Sequence, residues 1–230
     1  DDVLLFQFPT KLRFVVDGQV VDREIKVTQA EEDFYVPLNA KPAIVRFDPD
    51  YTVLAKVSFD KSNDLLKPQI ANTEDMMGRL LACVALGDRK THESVVLLTD
   101  RLNNDPFFGV RITAAKALAK HETDESLQVL RESWKNQTDA RVRREVVQQM
   151  LRQFTPETLN LAVNVLEEEA NPAIQTVAIG ALGRFHGTES TKQLVRFLES
   201  DSFRNELATA AISAIGKRND PELTKPLMST

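Results

Sequence analysis

A chain of 230 residues, 42% hydrophobic and 27% charged, has an ordinary globular balance and enough length for one large or two modest domains. Its net charge of -5 is spread as 9 basic and 12 acidic residues up to Pro68 and 20 and 22 beyond it, so neither part is a basic arm for nucleic acid or an anionic membrane. No apolar run approaches a membrane span, and the single cysteine, Cys83, allows no internal disulfide and reads as a small core residue. The chain opens at Asp1 without a methionine or a signal peptide and is expected to be a piece of a longer protein. The compartment stays open, with the cytoplasm ahead of the periplasm.

Residues 1–62 are predicted as an antiparallel β-sandwich module, cut short at its N-terminus. Leu12, Phe14 and Val16 alternate with Lys11, Arg13 and Val15, then Asp17-Gly18 offers the left-handed backbone of a two-residue hairpin. Val21, Ile25 and Val27 form the returning strand. Phe34, Val36 and Leu38 continue the alternation, followed by Val45 and Phe47, and by Val53, Ala55, Val57 and Phe59. About six short strands at such spacing suggest a sandwich that has lost an edge or packs on something else.

From about Leu65 the period becomes helical, and residues 63–230 are predicted as an α-solenoid. One helix is written five times. Gly78, Ala82, Ala85 and Leu86 recur as Val110, Ala114, Ala117 and Leu118, then as Val142, Val146, Gln149 and Met150. Two further copies are Ile174, Ala178, Ala181, Leu182 and Leu207, Ala211, Ala214, Ile215. The steps are 32, 32, 32 and 33 residues, a period that means stacked helix pairs in a HEAT-like array of about five pairs. Between the copies lie partner stripes: Val95, Leu98, Leu102; Leu127, Leu130, Trp134; Leu159, Ala162, Val163, Leu166; and Leu194, Phe197, Leu198. Asp105-Pro106, Thr155-Pro156, Asn171-Pro172 and Asp220-Pro221 place a capping side chain before a proline at a helix start. Gly87, Gly183 and Gly216 stand where helices should end. No Pro/Gly-rich linker parts the halves, which predicts a rigid junction near Asp60 to Pro68.

Chemistry is hard to find. His92, His121 and His186 are far apart and lack the one-turn spacing of zinc ligands on a helix. All three read as surface or capping groups. Phosphate loops and nucleophile signatures are absent, so no catalytic or metal residue is assigned. Glu167-Glu168-Glu169 reads as a solvated helix end. Arg79, Arg111 and Arg143 hold one place in successive copies, with Asp105 and Asp139 just upstream. These five are expected to ladder repeat to repeat, and the pattern fades at Gln175 and Ala208. Phe107 and Phe108, with Arg141 and Arg144 of the most basic spot, form a candidate interface.

The stretches Pro42-Ala43-Ile44-Val45-Arg46-Phe47-Asp48-Pro49-Asp50 and Asp105-Pro106-Phe107-Phe108-Gly109-Val110-Arg111, with Ala178-Ile179-Gly180-Ala181-Leu182-Gly183, carry a resemblance. Over nearly its whole length the chain resembles the C-terminal region of bacterial zinc aminopeptidases of the membrane-alanyl-aminopeptidase family, the group with leukotriene A4 hydrolase. The resemblance implies a parent whose catalytic, zinc-holding domain lies upstream, so no cofactor is expected in this chain itself. It implies as partners that upstream domain and the parent's peptide substrates, with the helical part arched over the cleft to admit only peptide ends. The alternative is a HEAT-repeat interaction scaffold without activity. A nucleic-acid-binding array is disfavoured by the acidic balance.

Overall fold

The computed structural model describes residues 5–218, which divide into two compact units between Arg89 and Lys90. In the first, β1 (Phe8–Val16), β2 (Gln19–Val27) and β3 (Ile44–Phe47) form one antiparallel sheet in the order β2-β1-β3. The hairpin forms where expected: Asp17 and Gly18 have φ of 48° and 77°, the paired left-handed residues of a tight turn. That turn sets the register and puts Arg13 opposite Asp22, where Nε and Nη2 donate to Oδ1 and Oδ2, both at 2.8 Å. The Arg13 hydrogen bonds hold the Asp22 carboxyl below its ordinary range.

The sheet has three strands among the described residues, not the six of the expected sandwich, and no second sheet faces it. Residues 34–38 pair with nothing; Pro37 has no amide hydrogen for a ladder, and Tyr35 is 91% exposed. Val53, Ala55, Val57 and Phe59 lie in a segment that pairs with no strand and bends at Val53 and Ala55. Alternation sets which way side chains point, but a strand also needs a neighbouring backbone. In β3 the parity differs as well. Val45 and Phe47 are the apolar alternation, yet Ile44 and Arg46 are the buried residues. Arg46 reaches Asp75, the N-cap of a helix, so that face is the one turned toward the helices of this unit. Those helices are α1 (Asn63–Ala71), which contains Pro68 and packs on β3, and α2 (Met76–Leu86). Cys83 is buried in α2.

The second unit is entirely helical: α3 (His92–Asn104), α4 (Phe108–His121), α5 (Asp124–Ser133), α6 (Ala140–Met150), α7 (Pro156–Glu168), α8 (Pro172–Leu182), α9 (Thr188–Leu198) and α10 (Glu206–Arg218). Consecutive helices pair, and α4, α6, α8 and α10 stack side by side. All four repeated apolar positions of each of these helices are buried. In α2 the matching set is buried except Ala85. The small residues at the second and third places let neighbours approach closely, and each fully buried Leu or Ile adds about 1.5–3 kcal/mol. Trp134 is buried in the turn after α5.

Helix starts follow a second 32-residue rhythm. Thr91, Thr123 and Thr155 accept at Oγ1 from the amides of Ser94, Ser126 and Thr158, each at 3.2 Å. Such a cap is worth about 1 kcal/mol. Gly187 holds the fourth place without a side chain; there Ser190 Oγ turns to the Phe185 carbonyl at 2.9 Å.

Of the expected helix ends, those at Thr155, Asn171, Gly87 and Gly183 hold, and those at Asp105-Pro106 and Gly216 are corrected. Thr155 and Asn171 cap helices that start at proline. Asp105 instead accepts from the Phe107 amide, and α4 starts at Phe108, two residues beyond Pro106. Gly87 and Gly183 end α2 and α8 in ordinary right-handed geometry, while Gly216 lies inside α10. Asp220-Pro221 lies outside the described residues.

Gly183 is required for another reason. A Cβ there would lie 2.9 Å from Ala214 Cβ and 3.0 Å from its Cα and carbonyl oxygen. Backbone cannot step aside as a long side chain does. Gly183→Ala is therefore expected to cost about 1–3 kcal/mol in urea unfolding by prising α8 from α10. An unchanged midpoint would show that the two helices separate freely.

Candidate functional site

Three features of the described residues bear on function: a polar column between repeats, an aromatic–arginine surface, and a cavity. The column is built on the second helix of each pair. Arg143 Nε donates to Glu169 Oε2 at 2.6 Å, and its Nη1 donates to the carbonyls of Gln137 at 2.8 Å and Thr138 at 3.3 Å. Arg111, one repeat earlier, donates through Nη2 to Gln137 Oε1 and through Nε to the Leu102 carbonyl at 3.2 Å. Gln175, one repeat later, donates to the Glu169 carbonyl at 2.8 Å. In the first unit Arg79 Nη1 donates to the carbonyls of Asn72 and Thr73 at 2.9 and 2.7 Å.

Arg111 and Arg143 thus each reach an acceptor 26 residues ahead. Those acceptors, Gln137 and Glu169, are buried in the turn before the next repeated helix, at the place Asp105 holds one repeat earlier. Asp105 also lies 3.6 Å from Arg101. Asp139 serves its own helix: it accepts from the Arg141 amide at 2.9 Å and from Nε and Nη2 at 3.1 and 2.7 Å. These Arg141 hydrogen bonds pull its carboxyl down to about 2. Gln137 and Glu169 escaped the sequence reading, although 105, 137 and 169 keep the 32-residue step. They share a place with Asp105 but not its residue type, so chemical type alone does not reveal the column. Glu169, read there as solvated, is 8% exposed.

Phe107, Phe108, Arg141 and Arg144 come together in part. The two rings are half-buried at the start of α4, with centroids 4.8 Å apart. The Arg141 guanidinium lies 3.5 Å over the Phe108 ring, a contact worth about 0.5–1 kcal/mol at an exposed site. Gly109 leaves room for the Phe107 ring, which a Cβ there would meet at 2.4 Å. Arg144 is exposed and donates to the Ala173 carbonyl at 3.3 Å. Of the histidines, His92 is exposed and 2.5 Å from Glu125, and His186 is exposed. His121 is buried at the end of α4, so of the expected surface or capping roles it does not take the surface one. No three His, Cys, Asp or Glu side chains among the described residues gather as metal ligands would, and no described helix is long and apolar enough to cross a membrane.

The cavity lies within the first unit and measures about 550 Å³. Val53, Val57, Phe59, Leu81 and Val84 supply apolar wall; these include the alternating residues that found no strand partner. Three cations line it: Arg89, which donates to Asp60 at 2.8 Å and to the Lys61 carbonyl at 2.6 Å, and two that are buried, Arg46 and Lys61. Arg46 is 1% exposed; its Nη1 donates to Asp75, and its Nε and Nη2 are buried without a hydrogen-bond partner. Lys61 is 8% exposed, with Nζ 4.5 Å above the Phe59 ring and 2.6 Å from Gln69 Oε1. Gln69 is fixed in turn by donating to the Gly78 carbonyl at 2.8 Å, and Asp75 by accepting from the Gly78 amide at 2.7 Å. Burial, and then the charge of Arg46, pull the Lys61 ammonium down to about 8 against the opposing pull of Asp75.

Residues 63–151, from α1 to the residue that ends α6, match the family model for HEAT repeats. The chain carries HEAT-like helical repeats over that stretch. No curated protein sequence matches the chain.

Proposed function

We propose that this chain is the non-catalytic, scaffold-forming portion of a zinc-dependent aminopeptidase. Its helical repeats would support an upstream catalytic domain and restrict its cleft to peptide N-termini. The observation that carries the reading is the Asp105–Arg111 stretch. This stretch, one of the two more specific parts of the resemblance, forms the start of α4 inside the HEAT-like region and holds Phe107 and Phe108 half-buried, with Arg141 over the Phe108 ring. The other resembling turn supports it. Asp48 Oδ1 accepts from the Thr52 amide and hydroxyl at 2.9 and 2.7 Å, and Oδ2 from the Val53 amide at 3.0 Å. Zinc, its ligands and the catalytic base belong, in this reading, to the upstream domain, with peptides as the parent's substrates.

The test is the reading frame upstream of Asp1 together with an activity assay. An H-E-x-x-H pair with a downstream glutamate is expected, as is no hydrolysis of an aminoacyl chromogenic amide by this chain alone, with or without zinc. Zinc-dependent turnover by the isolated chain would sink the proposal. The HEAT-like repeats themselves favour the second reading, an interaction scaffold without enzymatic activity. A frame lacking zinc ligands would select it.

A further inference from the structure

We propose that the cavity of the first unit is an anion-binding site for a small carboxylate with an apolar body, seated against Arg46 and Lys61. The argument starts from an edge of one side chain. Nε and Nη2 form the side-on fork of a guanidinium, the edge that on Arg13 grips both oxygens of Asp22 at 2.8 Å. On Arg46 the same edge is buried and has no partner. A buried charged donor left unmatched costs folding free energy, and natural chains rarely keep one without use.

The surrounding acids do not answer it. Asp75 engages Nη1, the other side of the guanidinium. Asp48 is turned to its own loop at Thr52 and Val53. Asp60 takes Arg89 at 2.8 Å. Lys61 adds a second positive charge, anchored through Gln69 to the Gly78 carbonyl, so both cations are held in place before any ligand arrives. Val53, Val57, Phe59, Leu81 and Val84 then ask for an apolar body behind the charged head. A fully solvated inorganic anion would leave these walls unused.

The test is calorimetric titration of the full chain with 4-phenylbutyrate and, separately, with its amide, which has the same shape and no charge. The acid is expected to bind at about millimolar strength or better and the amide at least about tenfold more weakly. Arg46→Gln should abolish the preference for the acid. Lys61→Met should weaken acid binding by about tenfold, and Val84→Trp, which fills the cavity, should block both compounds. If Arg46→Gln does not fold, the acid–amide comparison with the other two variants decides. Equal binding of acid and amide, no binding of the acid at about 10 mM, or binding untouched by Val84→Trp overturns the proposal.

Discussion

Arg143→Met is expected to destabilise the helical unit by about 3 kcal/mol, the largest loss of any single polar substitution in the column. Glu169 is the reason. The residue is 8% exposed, and its carboxylate accepts from the Arg143 guanidinium at 2.6 Å and from the Asn171 amide at 2.9 Å. Removing Arg143 leaves a buried charge with one neutral donor, while the Gln137 and Thr138 carbonyls lose their cross-turn donor. The double variant Arg143→Met, Glu169→Met removes the stranded charge together with its partner and should recover most of the loss. Urea unfolding of the two single variants and the double variant measures this. A loss under about 1 kcal/mol for Arg143→Met would mean that the pair sets orientation and contributes little stability.

The second large effect belongs to Lys61 and to pH. Its ammonium is held at about 8 in the fold, against an ordinary value of 10.5. Below pH 8 the lysine is protonated folded and unfolded, and the fold carries the cost of a buried charge. Between 8 and 10.5 the folded chain has released the proton and the unfolded chain still binds it. Stability therefore rises with pH across that window, by about 3 kcal/mol at most, and falls again as pH drops through 8. In Lys61→Met this rise should disappear. The measurement is the stability difference between the parent chain and the variant at pH 7.5 and at pH 10. The same difference at both values would show that Lys61 titrates as it does in water.

The helical half of the fold was legible because its signal repeats. One apolar position in a helix says little, but Val110, Val142, Ile174 and Leu207 at a near-constant step fix a face, a period and a stacking partner together. The first half offered no such redundancy. Val53 to Phe59 alternates as a strand would, and nothing within seven residues reveals whether a neighbouring backbone will be present to bond it. Arg46 was illegible for a related reason. A charged residue in the middle of Ile44–Phe47 reads as solvent-facing, whereas the structure buries it on the side where Asp75 waits 29 residues later. The column between repeats fell between these cases. Its arginines stood out by charge, but Gln137 and Glu169 share a place and a burial without sharing a chemical type. Gly216 misled by type alone: a glycine near a helix end need not terminate it when the next turn still packs, as Arg218 does.

The fixed distance of 26 residues from Arg111 and from Arg143 to its acceptor, set inside a 32-residue step, makes this part of the chain indifferent to whole units and intolerant of fractions. Excising residues 112–143 would join Arg111 to Arg144, and Arg111 would inherit the distance to Glu169 that Arg143 now has. Excising one residue fewer would turn every later side chain by about 100° around its helix and set buried charges against apolar neighbours. Length in such a chain is quantised. It can be gained or lost by duplication or deletion of a complete repeat, with the internal grammar of the remaining repeats intact.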